Sequence, residues 1–249
     1  MGGNLSYNVP TETVTAIYGS LDDAIKKIIR QDSIILDSSF NEKLKAMAIY
    51  SIDPIGMSTD FYIRYGLIKN FDLGYAWASG VHAFDFRYQF LDAINNFDGS
   101  VGVKYSSQSY ELPSMLGKLQ SLLKYKLERK DLLIPLAISN SLGKNELYGA
   151  IGYGAVYGRT WINYDYESNK IYEMVSGKIE VVNDVPQGEN SFNSYGLFLN
   201  LKLGYKHVYG ILGLSGFYQD YGRYNLFQDQ YVNFSGFTFV PNFGLQLTF

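Results

Sequence analysis

Apolar and polar positions alternate with a period of two through most of the chain. Over positions 237–249 the odd residues are Phe237, Phe239, Pro241, Phe243, Leu245, Leu247 and Phe249, and the even ones are Thr238, Val240, Asn242, Gly244, Gln246 and Thr248. Successive side chains of a strand point to opposite faces, so this segment has one wholly apolar face and one small or polar face. The split recurs upstream. Positions 57–67 set Met57, Thr59, Phe61, Ile63, Tyr65 and Leu67 against Asp60, Tyr62, Arg64 and Gly66, and positions 71–78 set Phe71, Leu73, Tyr75 and Trp77 against Asp72, Gly74, Ala76 and Ala78. In 81–91, His82, Phe84, Phe86, Tyr88 and Phe90 oppose Asp85, Arg87 and Gln89; in 97–105, Val101, Val103 and Tyr105 oppose Asp98, Ser100, Gly102 and Lys104. Positions 147–157 and 195–205 repeat it, the latter with Asn200 and Lys202 on the polar face. Two stretches are weaker: 131–139 is apolar on both faces and 208–218 is mixed.

Many strands of this kind suit either a soluble sandwich or a barrel in a lipid bilayer. Three features favour the barrel. The strands are long enough to cross a bilayer at a tilt. Tyr and Phe gather near strand ends, where interfacial girdles lie. The strand charges share their face with Gly and Ala, which suits a crowded lumen. The expected fold is all-β, a transmembrane antiparallel up-and-down barrel of about ten strands near 43–51, 57–67, 71–79, 81–91, 97–105, 131–141, 146–159, 195–205, 208–218 and 236–249. If 119–127 and 4–18 also pair, the count becomes twelve. Short links fall at 68–70, 92–96, 143–145 and 206–207, and long ones near 106–130, 160–193 and 219–233. Outer-membrane barrels keep short turns on the periplasmic side and longer loops outside.

Residues 1–42 read as a separate N-terminal segment before a barrel at 43–249. Ser20 with Asp23 resembles a capping box, and Leu21, Ala24, Ile25, Ile28 and Ile29 make a helical stripe, giving an amphipathic helix over about 20–30. Asp22 and Asp23 at its start, with Lys26, Lys27 and Arg30 toward its end, complement the helix dipole. The helix is expected to plug the lumen, lie at the periplasmic interface or pack against a barrel end. A second ambiguous segment is 113–130. As a helix it presents Leu116, Leu119, Leu123 and Leu127 on one face with Lys118, Lys124, Lys126, Arg129 and Lys130 to meet anionic headgroups. As a strand it is barrel wall with snorkelling lysines.

Composition narrows the classes further. The 249 residues hold no Cys, 2 His, 23 Tyr, 16 Phe, 2 Trp, 25 Gly and 6 Pro. Without Cys there is no disulfide, thiolate metal site or cysteine nucleophile. A net charge of -3 gives no reason to expect nucleic acid as a partner. No apolar run serves as a transmembrane helix, and Met1-Gly2-Gly3-Asn4 lacks the basic and apolar regions of a signal peptide. Were a lipidated Cys native at position 1, the protein would be a lipoprotein.

A last strand ending in Phe249, apolar or aromatic at alternate positions, resembles the bacterial outer-membrane β-barrel proteins. Arg64-Tyr65-Gly66-Leu67 followed by Asp72-Leu73-Gly74 is similar to a strand-turn-strand motif of poorly characterised members. The resemblance covers about residues 43–249. It implies a bacterial outer-membrane location, Phe249 as part of the signal read by the barrel assembly machinery, and a monomer among outer-membrane lipids that include anionic outer-leaflet headgroups.

The inward faces would then carry Asp60, Asp72, Asp85 and Asp98 with Arg64, Arg87, Lys104 and Lys202, four acids balancing four bases. The structural reading is a salt-bridged plug, because an unpaired buried charge is costly; the functional reading is a small polar solute path. Catalysis finds little support: His82 falls on the lipid face, His207 in a turn, and Asp165, Glu167, Glu173 and Glu180 have no base at a useful spacing. Gly152 and Gly154 sit in a strand and relieve lumen crowding. No metal site or cofactor is expected. The leading expectation is a non-enzymatic barrel with a largely closed, charged lumen and external loops that bind a ligand or surface. The alternatives are a narrow channel or transporter for small polar or amphipathic solutes, and an outer-membrane hydrolase.

Overall fold

The structure, a computed structural model, describes residues 1–16, 34–36, 52–78, 80–94, 97–111, 124–143, 148–167, 171–175, 178–181, 187–225 and 231–248. Ten strands form the wall: β1 (Gly2–Pro10), β3 (Gly56–Ile68), β4 (Phe71–Ala78), β5 (Val81–Ile94), β6 (Phe97–Glu111), β7 (Lys124–Leu142), β8 (Gly149–Glu167), β11 (Gln187–Tyr205), β12 (Val208–Asn225) and β13 (Tyr231–Leu247). They close in the order β1-β13-β12-β11-β8-β7-β6-β5-β4-β3. Every neighbouring pair is antiparallel, so the closed wall leaves no free edge. A short helix α1 (Thr11–Ala16) follows β1. Three more strands, β2 (Ile34–Leu36), β9 (Ile171–Val175) and β10 (Lys178–Val181), make a separate small sheet.

The first wall strand differs from expectation. Residues 43–51 lie outside the described residues, and the wall position assigned to them is filled by β1, which pairs with both β13 (Leu5↔Phe243) and β3 (Leu5↔Thr59). Leu5 and Tyr7 point outward while Asn4, Ser6 and Asn8 line the inside, the same alternation as elsewhere. The barrel therefore does not begin at 43, and residues 11–55 connect two adjacent wall strands. The expected helix over about 20–30 lies outside the described residues, as does Phe249.

Sidedness follows from the turns. The links after β3, β5, β7 and β11 share one end of the barrel with both chain termini. Two of them turn at Asn70 (φ 68°) and Lys206 (φ 56°). The left-handed region suits Asn, whose short polar side chain bonds locally. The opposite end holds the connections 11–55, 79–80, 112–123, 168–186 and 226–230. Two of these are joined there, because β2 from the first pairs in parallel with β9 from the fourth (Ile34↔Ile171).

Toward that end the strands run further than the apolar pattern indicates. β6 continues to Glu111, β7 starts at Lys124, β8 continues to Glu167 and β11 starts at Gln187. The described part of the ambiguous segment 113–130 is thus strand, not helix, and Lys126 and Lys130 sit on its outer face.

The outside of the wall is apolar. Along β11 it reads Tyr195, Leu197, Leu199, Leu201, Leu203, Tyr205, and Leu197 is 70% exposed. Tyrosines also bracket the neighbouring stretch of β8, where Tyr157 touches Tyr195 (ring centroids 5.7 Å) and Tyr148 stacks on Tyr205 (6.3 Å). The ten residue steps from Tyr195 to Tyr205 cover about 33 Å along the strand at about 3.3 Å each. At the usual tilt this is a belt about 25 Å tall, the height of the apolar band of a membrane barrel.

Candidate functional site

Inside the wall, Asp60, Arg64, Asp72, Asp85, Arg87, Asp98, Lys104 and Lys202 all occupy the less exposed alternate positions of their strands. Seven lie on β3–β6 and form a one-sided patch, while Lys202 stands apart from them on β11. Strand register builds the patch. Arg64, Gly74, Asp85 and Lys104 are successive partners across β3, β4, β5 and β6. In the adjacent row Asp72 is the direct partner of Arg87.

One Arg64 nitrogen, Nη2, donates to both carboxylate oxygens of Asp85, at 2.7 and 2.9 Å. These residues are two strands apart, and Gly74 between them makes the contact possible. A Cβ built on Gly74 would collide with the Asp85 carboxylate. Three other members have polar or ring partners. Asp60 Oδ1 accepts from the Asn4 backbone N–H at 3.0 Å. Asp98 accepts from Gln89 Nε2 at 3.0 Å and Ser141 Oγ at 3.5 Å. Lys202 Nζ lies 4.9 Å from the Tyr209 ring centroid, a cation–π contact.

A second cluster, nearer the long-connection end, is absent from the alternation altogether. Just before β3 the chain enters the lumen, burying Ile52 (1% exposed) and Asp53 (5%). Asp53 Oδ2 accepts from Tyr221 Oη at 2.7 Å, Thr238 Oγ1 at 2.7 Å and Gln219 Nε2 at 3.2 Å. Its Oδ1 accepts from Asn8 Nδ2 at 2.6 Å, and its backbone carbonyl from Thr13 Oγ1 at 2.8 Å. Four uncharged side-chain donors thus satisfy one buried carboxylate, which meets the cost of taking it from water.

The neighbouring carbonyl of Ile52 accepts from Arg129 Nη1 at 2.8 Å. Arg129 Nε bonds both oxygens of Asp131 at 2.9 Å, and Thr160 Oγ1 reaches Asp131 at 2.6 Å. Hydrogen bonds therefore link residues 52–53 to β1, α1, β7, β12 and β13, and through Asp131 to β8. Aromatic rings fill the surrounding interior. Phe192 packs on Tyr221 (5.2 Å), Tyr224 stacks on Phe234 (5.2 Å, 4° between planes), and Tyr164 meets Tyr224 (5.7 Å). Leu127 and Ile162 beside them are fully buried. No sequence signal marks Asp53: Asp53-Pro54 reads as a turn, and its donors sit on strands distant in the chain.

These groups make a hydrogen-bonded brace across the lumen. His82 faces outward, its Nδ1 2.7 Å from Tyr75 Oη, and His207 Nδ1 lies 2.9 Å from the Thr248 carbonyl in a turn. Neither is placed to act as base toward the lumen carboxylates. Among the described residues, no group of three or more His, Asp or Glu is arranged to hold a metal ion. The wall and exterior are those of an outer-membrane-type β-barrel. No family model matches the chain, and no curated protein matches it.

Solved structures similar to it include Ail, the attachment invasion locus protein of Yersinia pestis, in complex with a heparin analogue. That match has 10% identity and a TM-score of 0.28, covering 76% of this chain and 92% of Ail. The copper transporter OprC matches with 12% identity and TM-score 0.32, over 75% of this chain and 33% of its own. The NanC porin matches with 7% identity and TM-score 0.27, over 78% and 93%. Likeness at this level adds nothing to the geometry described above.

Proposed function

We propose that this chain is a bacterial outer-membrane β-barrel with a closed lumen, without enzymatic activity, that works through the surface built at its long-connection end. One observation carries the reading: the Asp53 brace, which draws residues 52–53 into the lumen and bonds them to β1, β12 and β13 on one side and, through the Ile52 carbonyl, to Arg129 of β7 on the other. A solute path would need that space free, and here neutral donors and packed rings occupy it. The Arg64–Asp85 pair supports the same reading, since it uses the lumen charges on each other. The joining of connection 11–55 to connection 168–186 through β2 and β9 fits a composed external surface better than independent loops. Under the usual sidedness of such barrels this end faces outward. Insertion by the barrel assembly machinery, with Phe249 as part of its signal, belongs to the same proposal.

Planar-bilayer recording of the purified, refolded protein tests it. The expected result is no stepwise conductance from the wild-type chain and the appearance of steps in Asp53→Ala. Reproducible ion-selective steps from the wild-type barrel would instead favour a narrow channel.

A further inference from the structure

Three adjacent strands change character together on the outside of the wall. Toward the long-connection end, β7 runs Leu136, Ile134, Leu132 and then Lys130, Glu128, Lys126. Beside it β8 runs Tyr153, Ala155, Tyr157 and then Arg159, Trp161, Asn163, Asp165. Next, β11 runs Leu199, Leu197, Tyr195 and then Asn193, Ser191, Glu189. On these three strands the first polar positions above the tyrosines hold cations and neutral groups only. Carboxylates enter one row further out, where Glu128, Asn163 and Glu189 are partners. Glu128 is engaged by Lys126 (3.1 Å), and on the next strand Asp220 of β12 stands in the first row as the direct partner of Asn193, with Asn193 between it and Arg159.

The two inner cations are placed as a pair. Lys130 is the partner of Trp161 and Arg159 the partner of Leu132, so Lys130 and Arg159 are diagonal neighbours, a separation of about 7–8 Å that long side chains span. Arg159 is laid across β11, with Nη1 donating to Asn193 Oδ1 (2.9 Å) and Nη2 to Ser191 Oγ (2.7 Å). Tyr157 Oη shares the same Asn193 oxygen at 3.0 Å. A guanidinium has five N–H donors, so these two bonds orient it and leave others for a ligand. Trp161, 40% exposed, offers a flat ring beside the cations, and Leu132, Ile134 and Leu136 continue from them as an apolar track.

We propose that this patch binds a phosphorylated glycolipid of the outer leaflet. The phosphate sits between Arg159 and Lys130, the sugar ring lies against Trp161, and the acyl chains run down Leu132–Ile134–Leu136. The site rests on the outer-membrane reading, because height above the apolar belt puts the cations at headgroup depth. Continuity with the belt selects a lipid over a free phosphate, which has nothing to lay on the leucine track.

Native mass spectrometry of the folded protein, titrated in detergent with bisphosphorylated lipid A or its dephosphorylated form, tests the site. The phosphorylated lipid is expected to bind more tightly, and each cation removed in Lys130→Ala or Arg159→Ala to weaken it about fivefold. Arg159→Lys keeps the charge but cannot hold both Asn193 and Ser191, and is expected to bind with intermediate strength. Lys206→Ala, in a turn at the other end, is expected to bind as wild type. Equal binding of the two lipids, or undiminished binding by the double alanine variant, would overturn the site. A heat-modifiable band on gels, measured first in vesicles, separates the two readings. A barrel that folds and does not discriminate loses only the site, whereas one that never inserts loses the membrane reading and the site together.

Discussion

Asp53 gathers four side-chain donors, so removing its carboxylate leaves Tyr221, Thr238, Gln219 and Asn8 without that acceptor at once. Each buried polar group left unsatisfied costs about 1–3 kcal/mol, less where water enters. Asp53→Ala is therefore expected to lose about 2–4 kcal/mol in urea unfolding from vesicles, and Asp53→Asn, which keeps one acceptor oxygen, to lose less. The Arg64–Asp85 pair gives a second measurement. A double-mutant cycle over Arg64→Ala and Asp85→Ala is expected to show about 1 kcal/mol of coupling, above the usual surface pair because the groups are only about a quarter exposed. Gly74→Ala should abolish most of that coupling with both partners still present, because its Cβ displaces the Asp85 carboxylate. The inward direction of Arg64 and Asp85 is legible in the chain, since a period of two is a property of the strand itself. Their meeting is not, since it depends on which residue of β4 the turn at Asn70 brings between them.

At the level of elements, legibility tracks the solvent on each side of the wall. Where lipid lies outside and a polar lumen inside, the two faces differ and the strands can be read: β3, β4 and β5 start within one residue of the positions that alternation predicts. Beyond the belt both faces are polar. β7 there has Lys126 and Lys130 outside with Arg129 and Asp131 inside, and no contrast remains to mark a strand. β1 is a different case, for its alternation is plain. Its place in the wall is hidden because the connection of residues 11–55 separates it from β3, and pairing across that separation is decided by closure with β13. A barrel lacking residues 1–10 would leave β3 and β13 with unpaired edges, which cannot be satisfied in hydrocarbon. The truncated chain is expected to give no heat-modifiable band on gels after refolding into vesicles, where the full chain gives one.

For the molecule as a whole, the governing quantity is the height of the apolar belt against the bilayer. The outer face of β11 samples it from end to end, with Leu199 near mid-height and Ser191 two outward positions above Tyr195. A cation at mid-belt must be drawn into hydrocarbon, whereas one beyond the tyrosines meets headgroups and water. Leu199→Arg is therefore expected to destabilise the barrel by about 2–4 kcal/mol, and Ser191→Arg by about 0–1 kcal/mol. Urea unfolding in vesicles of one lipid, followed by tryptophan fluorescence from Trp77 and Trp161, reads both on the same scale. The contrast between the variants is the informative quantity, since a soluble barrel would place both positions in water and give two small and similar losses. A steep difference would set the midplane of the bilayer near Leu199 and leave Arg159 and Lys130 at its surface. A flat profile would remove the reason for the exposed leucines, and with it the outer-membrane reading on which the lipid site depends.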